Sequence, residues 1–77
     1  MGTLADMAEG ERAVVTGLTS RADRRSRLFD IGVIPGARVE CVRKSPLGDP
    51  VAYLIRGAVI ALRREDAREV SVRRGEP

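Results

Sequence analysis

Short runs of alternating apolar and polar residues recur along this chain and predict β-strands. A period of two places successive side chains on opposite faces of a strand. In the first run, Arg12–Leu18, Ala13 and Val15 face one way. Gly17 inside that run predicts a bulge or a strong bend. Similar runs predict four more strands at 37–44, Val51–Ile55, Ala58–Leu62 and 69–73.

One longer segment, 20–31, has helical spacing instead. Ser20 and Asp23 match a capping box at its start, and Gly32 follows its end, where a positive φ is common. Two shorter segments, 3–7 and 63–67, predict single helical turns. In the first of them, Thr3 and Asp6 also match a capping box.

Turn signals separate these elements. Pro35 and Gly36 predict a turn after the helix, Pro46 to Pro50 a rigid loop, and Arg56 with Gly57 a tight turn. The fold predicted is mainly β: a small β-barrel of about five strands with one inserted α-helix and short helical turns. We expect residues 1–77 to form a single domain with its core at about 4–73 and a frayed tail at 74–77.

The composition limits what such a domain can do. A chain of 77 residues has room for one core and little room for a deep substrate cavity. Phe29 and Tyr53 are the only aromatic residues, so the core must be aliphatic. No apolar run approaches the roughly 20 residues of a membrane helix, and no signal peptide opens the chain. We therefore expect no membrane insertion and a cytoplasmic location.

Residues with catalytic or metal-binding chemistry are scarce. The chain has no histidine, which excludes Ser-His-Asp and Cys-His arrangements. Its single cysteine, Cys41, lies on an apolar strand pattern and is interpreted as a buried core residue. No phosphate-binding glycine loop is present. The sequence therefore predicts a protein that is not an enzyme, with no catalytic residue, no metal ligand and no cofactor.

Binding surfaces are the remaining candidates. The 14 basic and 11 acidic residues give a net charge of +3, and the arginines are interleaved with acids, which is typical of a solvated surface rather than a dense basic patch. The helix arginines are either a solvated face or a contact for an acidic partner, phosphate or RNA. The loop at 46–50 is either a stiff corner or a recognition element. The candidate partner contacts are Arg21, Arg24, Arg25, Leu47 and Asp49.

Several motifs, taken in order, resemble those of one family. Residues 27–36 match the pattern R-L-x-x-x-G-x-x-P-G, and residues 46–50 match P-x-G-D-P. Residues 61–67 match A-L-R-x-x-x-A and are followed by Val70 and Val72. Residues 4–10 and 13–15 extend the similarity over most of the chain. The sequence resembles the FeoA family, small cytoplasmic accessory proteins of bacterial ferrous-iron uptake.

The resemblance implies an SH3-like barrel with an inserted helix and a protein partner, the membrane ferrous-iron transporter FeoB with its cytoplasmic GTPase domain. A similar barrel forms the C-terminal domain of DtxR-type repressors, but the chain begins at Met1 without a helix-turn-helix, so we expect the stand-alone form. The expected function is docking on FeoB and modulation of its assembly, GTPase or transport activity. A nucleic-acid-binding small barrel, which we do not favour, and a metal-responsive module are the alternatives. Strand edges could pair between chains, so a homo-oligomer stays open.

Overall fold

Six antiparallel strands form one sheet in the computed structural model, which describes residues 2–19 and 22–74 and, within them, all side chains but those of 22–25. The strand order is β1-β6-β2-β3-β4-β5. The mainly β fold is therefore confirmed. The strands are β1 (Gly2–Thr3), β2 (Arg12–Leu18), β3 (Arg38–Lys44), β4 (Val51–Ile55), β5 (Ala58–Leu62) and β6 (Val70–Arg74).

Three short helical segments lie between the strands: a 3₁₀ helix at Leu4–Asp6, α1 at Ala22–Asp30 and α2 at Arg64–Ala67. The Asp6 carboxylate accepts a hydrogen bond from the Thr3 backbone N–H at 3.0 Å, as the predicted capping box requires. The start predicted for α1 at Ser20 lies outside the described residues. Gly32, just beyond α1, has a φ of +100°, which favours glycine.

Two register shifts bend the sheet. The pairing of β2 with β6 shifts between Val15 and Gly17, which confirms the bulge predicted at that glycine. The pairing of β3 with β4 shifts between Cys41 and Arg43, where Val42 interrupts the alternation. Each extra residue increases the local twist. The sheet therefore curls around one core.

The core is aliphatic, as the composition predicted. Tyr53 is its one aromatic member among the described residues, and its hydroxyl donates to the Leu4 carbonyl oxygen at 2.9 Å. Leu4, in the 3₁₀ helix, and Met7, directly after it, are fully buried. In β2, the buried side chains of Ala13 and Val15 match the predicted face. The other strands contribute these inward-facing side chains: Val39, Cys41, Val51, Tyr53, Ile55, Val70 and Val72.

The chain ends differ from the sequence-based expectation. Gly2–Thr3 forms a sixth strand that pairs with β6, because Gly2 lies opposite Val72. Arg74, expected in a frayed tail, belongs to β6 and lies 3.3 Å from the Glu11 carboxylate. A strand of two residues is too short to show a period of two, so alternation could not predict β1. Residues 75–77 lie outside the described part.

Candidate partner-binding surfaces

The loop between β3 and β4 is closed by its own hydrogen bonds. The Ser45 hydroxyl donates to the Pro50 carbonyl oxygen at 2.6 Å, and the Gly48 N–H donates to the Ser45 carbonyl oxygen at 2.7 Å. Leu47, at the tip, is 95% exposed. A leucine held in water by an ordered loop can dock with little loss of conformational entropy.

Asp49, next to that tip, contacts another part of the chain. Its Oδ1 accepts a hydrogen bond from the Arg64 backbone N–H at 2.9 Å. Arg64 is the first residue of α2, where backbone N–H groups lack partners within the helix. Asp49 therefore joins the loop to α2 and supports the position of Leu47.

The arginines predicted on the helix are only partly described. Arg24 and Arg25 lie in α1, but their side chains lie outside the described part, as does the whole of Arg21. Farther along α1, Arg27 is exposed and has its guanidinium 4.0 Å from the Asp66 carboxylate, the limit for an ion pair. Of the predicted partner contacts, the structure thus describes the side chains of the two loop residues, Leu47 and Asp49.

A second surface was missed in the sequence. A cleft of about 750 Å³ crosses the outer face of the sheet. Among the side chains that the structure describes, its charged lining consists of one carboxylate and four guanidinium groups, a net charge of +3, from Glu40, Arg12, Arg38, Arg56 and Arg73. We call this cleft with its five charged residues the arginine groove. The sequence-based interpretation, in which the arginines are interleaved with acids and form no basic patch, was therefore wrong for these four arginines, which line one cleft.

Strand register assembles the arginine groove. Val14 lies opposite Arg38 on β3 and opposite Arg73 on β6, so the three side chains share the outer face. Arg12 lies opposite Glu40, and their side chains form an ion pair at 3.6 Å. Alternation alone placed these arginines on outward positions. Their proximity depends on which strands pair, which the sequence did not reveal.

Arg56 completes the groove from the β4–β5 turn. Arg56 and Gly57 both have positive φ, +50° and +86°, as a tight two-residue hairpin turn requires. The stem of Arg56 crosses Gly32, because a Cβ placed on that glycine would lie 2.9 Å from Arg56 Cδ. The missing side chain at Gly32 therefore makes room for the arginine stem.

Cys41 has the environment predicted for it. The side chain is fully buried, and burial raises the pKa of its thiol, so the reactive thiolate is disfavoured. Within 2–19 and 22–74, the structure contains no cluster of three or more cysteine, aspartate or glutamate side chains arranged to hold a metal ion. Over the same residues, no helix combines the length and the apolar character that a membrane span needs.

These features define a small SH3-like domain whose notable side chains lie on exposed surfaces. The chain belongs to the FeoA domain family, whose model matches residues 2–74. This is a family associated with ferrous-iron transport, and it is not a known enzyme family.

Relatives agree with this assignment. The FeoA protein of Chlorobium tepidum is 35% identical, with a TM-score of 0.86 over 94% of this chain and 68% of that one. The zinc-complexed FeoA of Stenotrophomonas maltophilia, described as a prokaryotic SH3 domain protein, is 28% identical, with a TM-score of 0.82 over 95% of this chain and 91% of that one.

A third relative is much larger. It is a fusion of Fe(2+) transport protein A with the Fe(2+) transporter FeoB in Porphyromonas gingivalis, 35% identical over 69 residues. The match includes 90% of this chain but only 8% of the fusion protein. In that protein, a domain similar to this chain and a transporter share one polypeptide.

Proposed function

We propose that this chain is a non-enzymatic accessory protein of bacterial ferrous-iron uptake. It docks on the cytoplasmic part of a FeoB-like transporter and modulates the assembly, the GTPase cycle or the transport activity of that partner. The proposal includes a cytoplasmic location and a single binding domain.

The fusion protein of Porphyromonas gingivalis is the observation that carries the proposal. Two proteins that are joined in one organism and separate in another commonly act at the same place. A tether also keeps the two domains at a high effective concentration. Docking by a free domain must replace that tether with surface contacts.

The loop between β3 and β4 offers such a contact. Leu47 is the apolar anchor, and Asp49 supports its position through Arg64. An exposed apolar side chain on an ordered loop suits a partner pocket. The helix arginines Arg21, Arg24 and Arg25 stay in the proposed contact set as charged neighbours for an acidic partner surface.

Binding of the purified chain to the FeoB-like transporter of the same organism tests the proposal. The detergent-solubilised transporter and its isolated GTPase domain are titrated separately by calorimetry near physiological salt, with and without guanine nucleotide. We expect saturable binding at micromolar or lower concentration to at least one of them. A dependence of affinity on nucleotide indicates regulation, and a change in GTP hydrolysis rate measures it.

A charge-reversed variant, R24E/R25E, provides the internal comparison. We expect it to bind more weakly and to unfold at the same urea concentration as the original chain, so that the weaker binding reports lost contacts and not lost folding. The absence of binding by the original chain to both preparations would refute the proposal. Unchanged affinity of the variant would remove the helix arginines from the contact set.

A further inference from the structure

The arginine groove has more positive charge than the described carboxylates neutralise. Glu40 pairs with Arg12, but among the described residues the guanidinium groups of Arg38, Arg56 and Arg73 take part in no ion pair or hydrogen bond. Like charges that are gathered on one face without counterions favour an anionic ligand. Three arginine side chains are therefore available to a partner.

The groove also has an apolar part. Leu54 lies opposite Glu40 on β3 and opposite Val59 on β5, and it lines the same cleft. Val59 is 64% exposed on the adjoining strand. Val14 lies half-buried between Arg38 and Arg73. A ligand that matches this surface needs carboxylates for the arginines and an aliphatic side chain for Leu54.

A polypeptide fits this combination better than a nucleic acid. Single-stranded nucleic acids bind through aromatic side chains that stack on bases, and none lines the cleft among the described residues. Glu40 inside the groove would repel a phosphate, whereas a peptide can place a polar or apolar residue beside it.

The geometry points to the arginine groove as the docking site for an acidic, leucine-containing segment of the protein partner. This inference rests on the proposed function for the partner's identity and extends it by naming the surface and the chemistry that it recognises. Leu47 does not line this groove.

The first experiment measures the groove without the transporter. Fluorescence anisotropy of a labelled peptide alternating glutamate and leucine should show saturable binding to the chain, weakened as salt is added. Peptides with lysine in place of glutamate, or with alanine in place of leucine, should bind more weakly. Stronger binding of an oligothymidine of equal charge, or no binding of the acidic peptide, would overturn the inference.

Matched variants separate the groove from net charge. R38E/R73E should weaken acidic-peptide binding by about tenfold or more. R38Q/R73Q removes the same two positive charges without adding negative ones, and it should weaken binding by a smaller factor. This second variant controls for misfolding caused by charge reversal. R68E/R63E makes the same change in net charge at two exposed arginines outside the groove and should stay within about twofold of the original affinity. An equal loss in this control would contradict a specific site.

The transporter experiment then distinguishes this inference from the proposed function. If the original chain binds the transporter and R38E/R73E binds at least about tenfold more weakly, both are supported. If the original chain binds and R38E/R73E binds equally well, the groove is refuted as the docking site while the proposed function stands. If the original chain does not bind the transporter, the proposed function fails, and the peptide titration alone decides the groove.

Discussion

The Asp49 carboxylate accepts a hydrogen bond from the Arg64 backbone N–H across 15 residues of sequence. Arg63 stands at the N-cap of α2, and an arginine side chain offers no acceptor for the N–H groups of the first turn. Asp49 supplies that acceptor from the neighbouring loop. The loop with Leu47 and the short helix α2 are therefore one structural unit.

Replacing Asp49 should destabilise this unit. D49A removes the acceptor and should lower the free energy of unfolding by about 0.5–2 kcal/mol, the usual effect of losing a helix cap. D49N keeps an amide oxygen in the same place and should retain most of the stability. Urea unfolding followed by circular dichroism measures both. Equal losses would show that the negative charge, rather than the hydrogen bond, stabilises α2.

Leu47 should matter for docking and not for folding. Its side chain is 95% exposed, so L47S should change the free energy of unfolding by less than about 0.5 kcal/mol. The same variant should bind the transporter more weakly by a measurable factor in calorimetric titration. V42S, at an exposed apolar side chain that does not line the arginine groove, serves as the comparison. Unchanged affinity of L47S would exclude the loop tip from the interface.

The single tyrosine should report folding at alkaline pH. Burial raises the pKa of Tyr53 well above its ordinary value of 10.0. The folded chain therefore binds the phenolic proton more tightly than the unfolded chain. That contribution to stability is complete below about pH 10 and is lost as the pH rises above it. In the folded chain, phenolate absorbance should appear only together with the loss of the circular dichroism signal. In the chain unfolded by urea, it should appear near pH 10.

The matched variant Y53F tests the cause. It removes the hydroxyl that donates to the Leu4 carbonyl oxygen. That oxygen keeps its hydrogen bond from the Met7 backbone N–H at 3.1 Å, so the loss of stability should be about 0.5–1.5 kcal/mol at neutral pH. It should also make stability less sensitive to pH above about 10. A tyrosine that ionised near pH 10 in the folded chain would contradict the buried hydrogen bond.

Protonation of Glu11 should contribute to the loss of stability at acid pH. The Ala8 backbone N–H, 2.7 Å away, and then the Arg74 guanidinium, 3.3 Å away, lower the pKa of its carboxyl below 4.5. The unfolded chain thus binds this proton more tightly. The stabilisation is present above about pH 4.5 and is lost as the pH falls through the lowered folded-state value.

Urea midpoints measured over about pH 6 to pH 3 should fall less steeply for E11Q than for the original chain. E65Q removes an exposed carboxylate that makes no hydrogen bond or ion pair among the described residues, and it serves as the comparison for the loss of one negative charge. If both variants flatten the slope equally, general charge repulsion and not the contacts of Glu11 would be the cause.

Substitution of Gly32 by alanine should destabilise the domain more than the same substitution at other turn glycines. G32A places a Cβ 2.9 Å from Arg56 Cδ and forces an alanine into a positive φ, so we expect a loss of about 1–3 kcal/mol. At Gly36, which also has a positive φ, a Cβ would meet nothing within 4 Å. G36A therefore measures the backbone strain alone.

The double variant G32A/R56A isolates the side-chain contact. Removing the arginine stem should reduce the cost of G32A to about that of G36A. G32A alone should also weaken acidic-peptide binding, because it displaces Arg56 from the arginine groove. Equal stability of G32A and G36A would show that Arg56 moves aside freely.

Local patterns predicted most of the sheet. The bounds of β2, β4 and β5 agree with the predicted strands, because in each of them the turn residues and the alternation mark the same ends. The Gly17 bulge was predictable for a similar reason, since a glycine inside an alternating run commonly marks a bulge or a bend. Family motifs in the connecting loops then indicated the SH3-like arrangement.

Contacts between distant residues were not predictable from these patterns. The bond from Arg64 to Asp49 depends on how the 46–50 loop folds over α2. The arginine groove depends on β2 lying between β3 and β6, which places Arg38 and Arg73 on either side of Val14. Residues far apart in sequence become neighbours only through strand pairing, and a single sequence does not specify that pairing.

The antiparallel pairing of Gly2 with Val72 places β1 and β6, the first and the last strands along the chain, side by side. A segment attached before β1 and one attached after β6 would therefore leave the domain from neighbouring points. A larger protein joined before β1 or after β6 would therefore be attached at the same edge of the sheet.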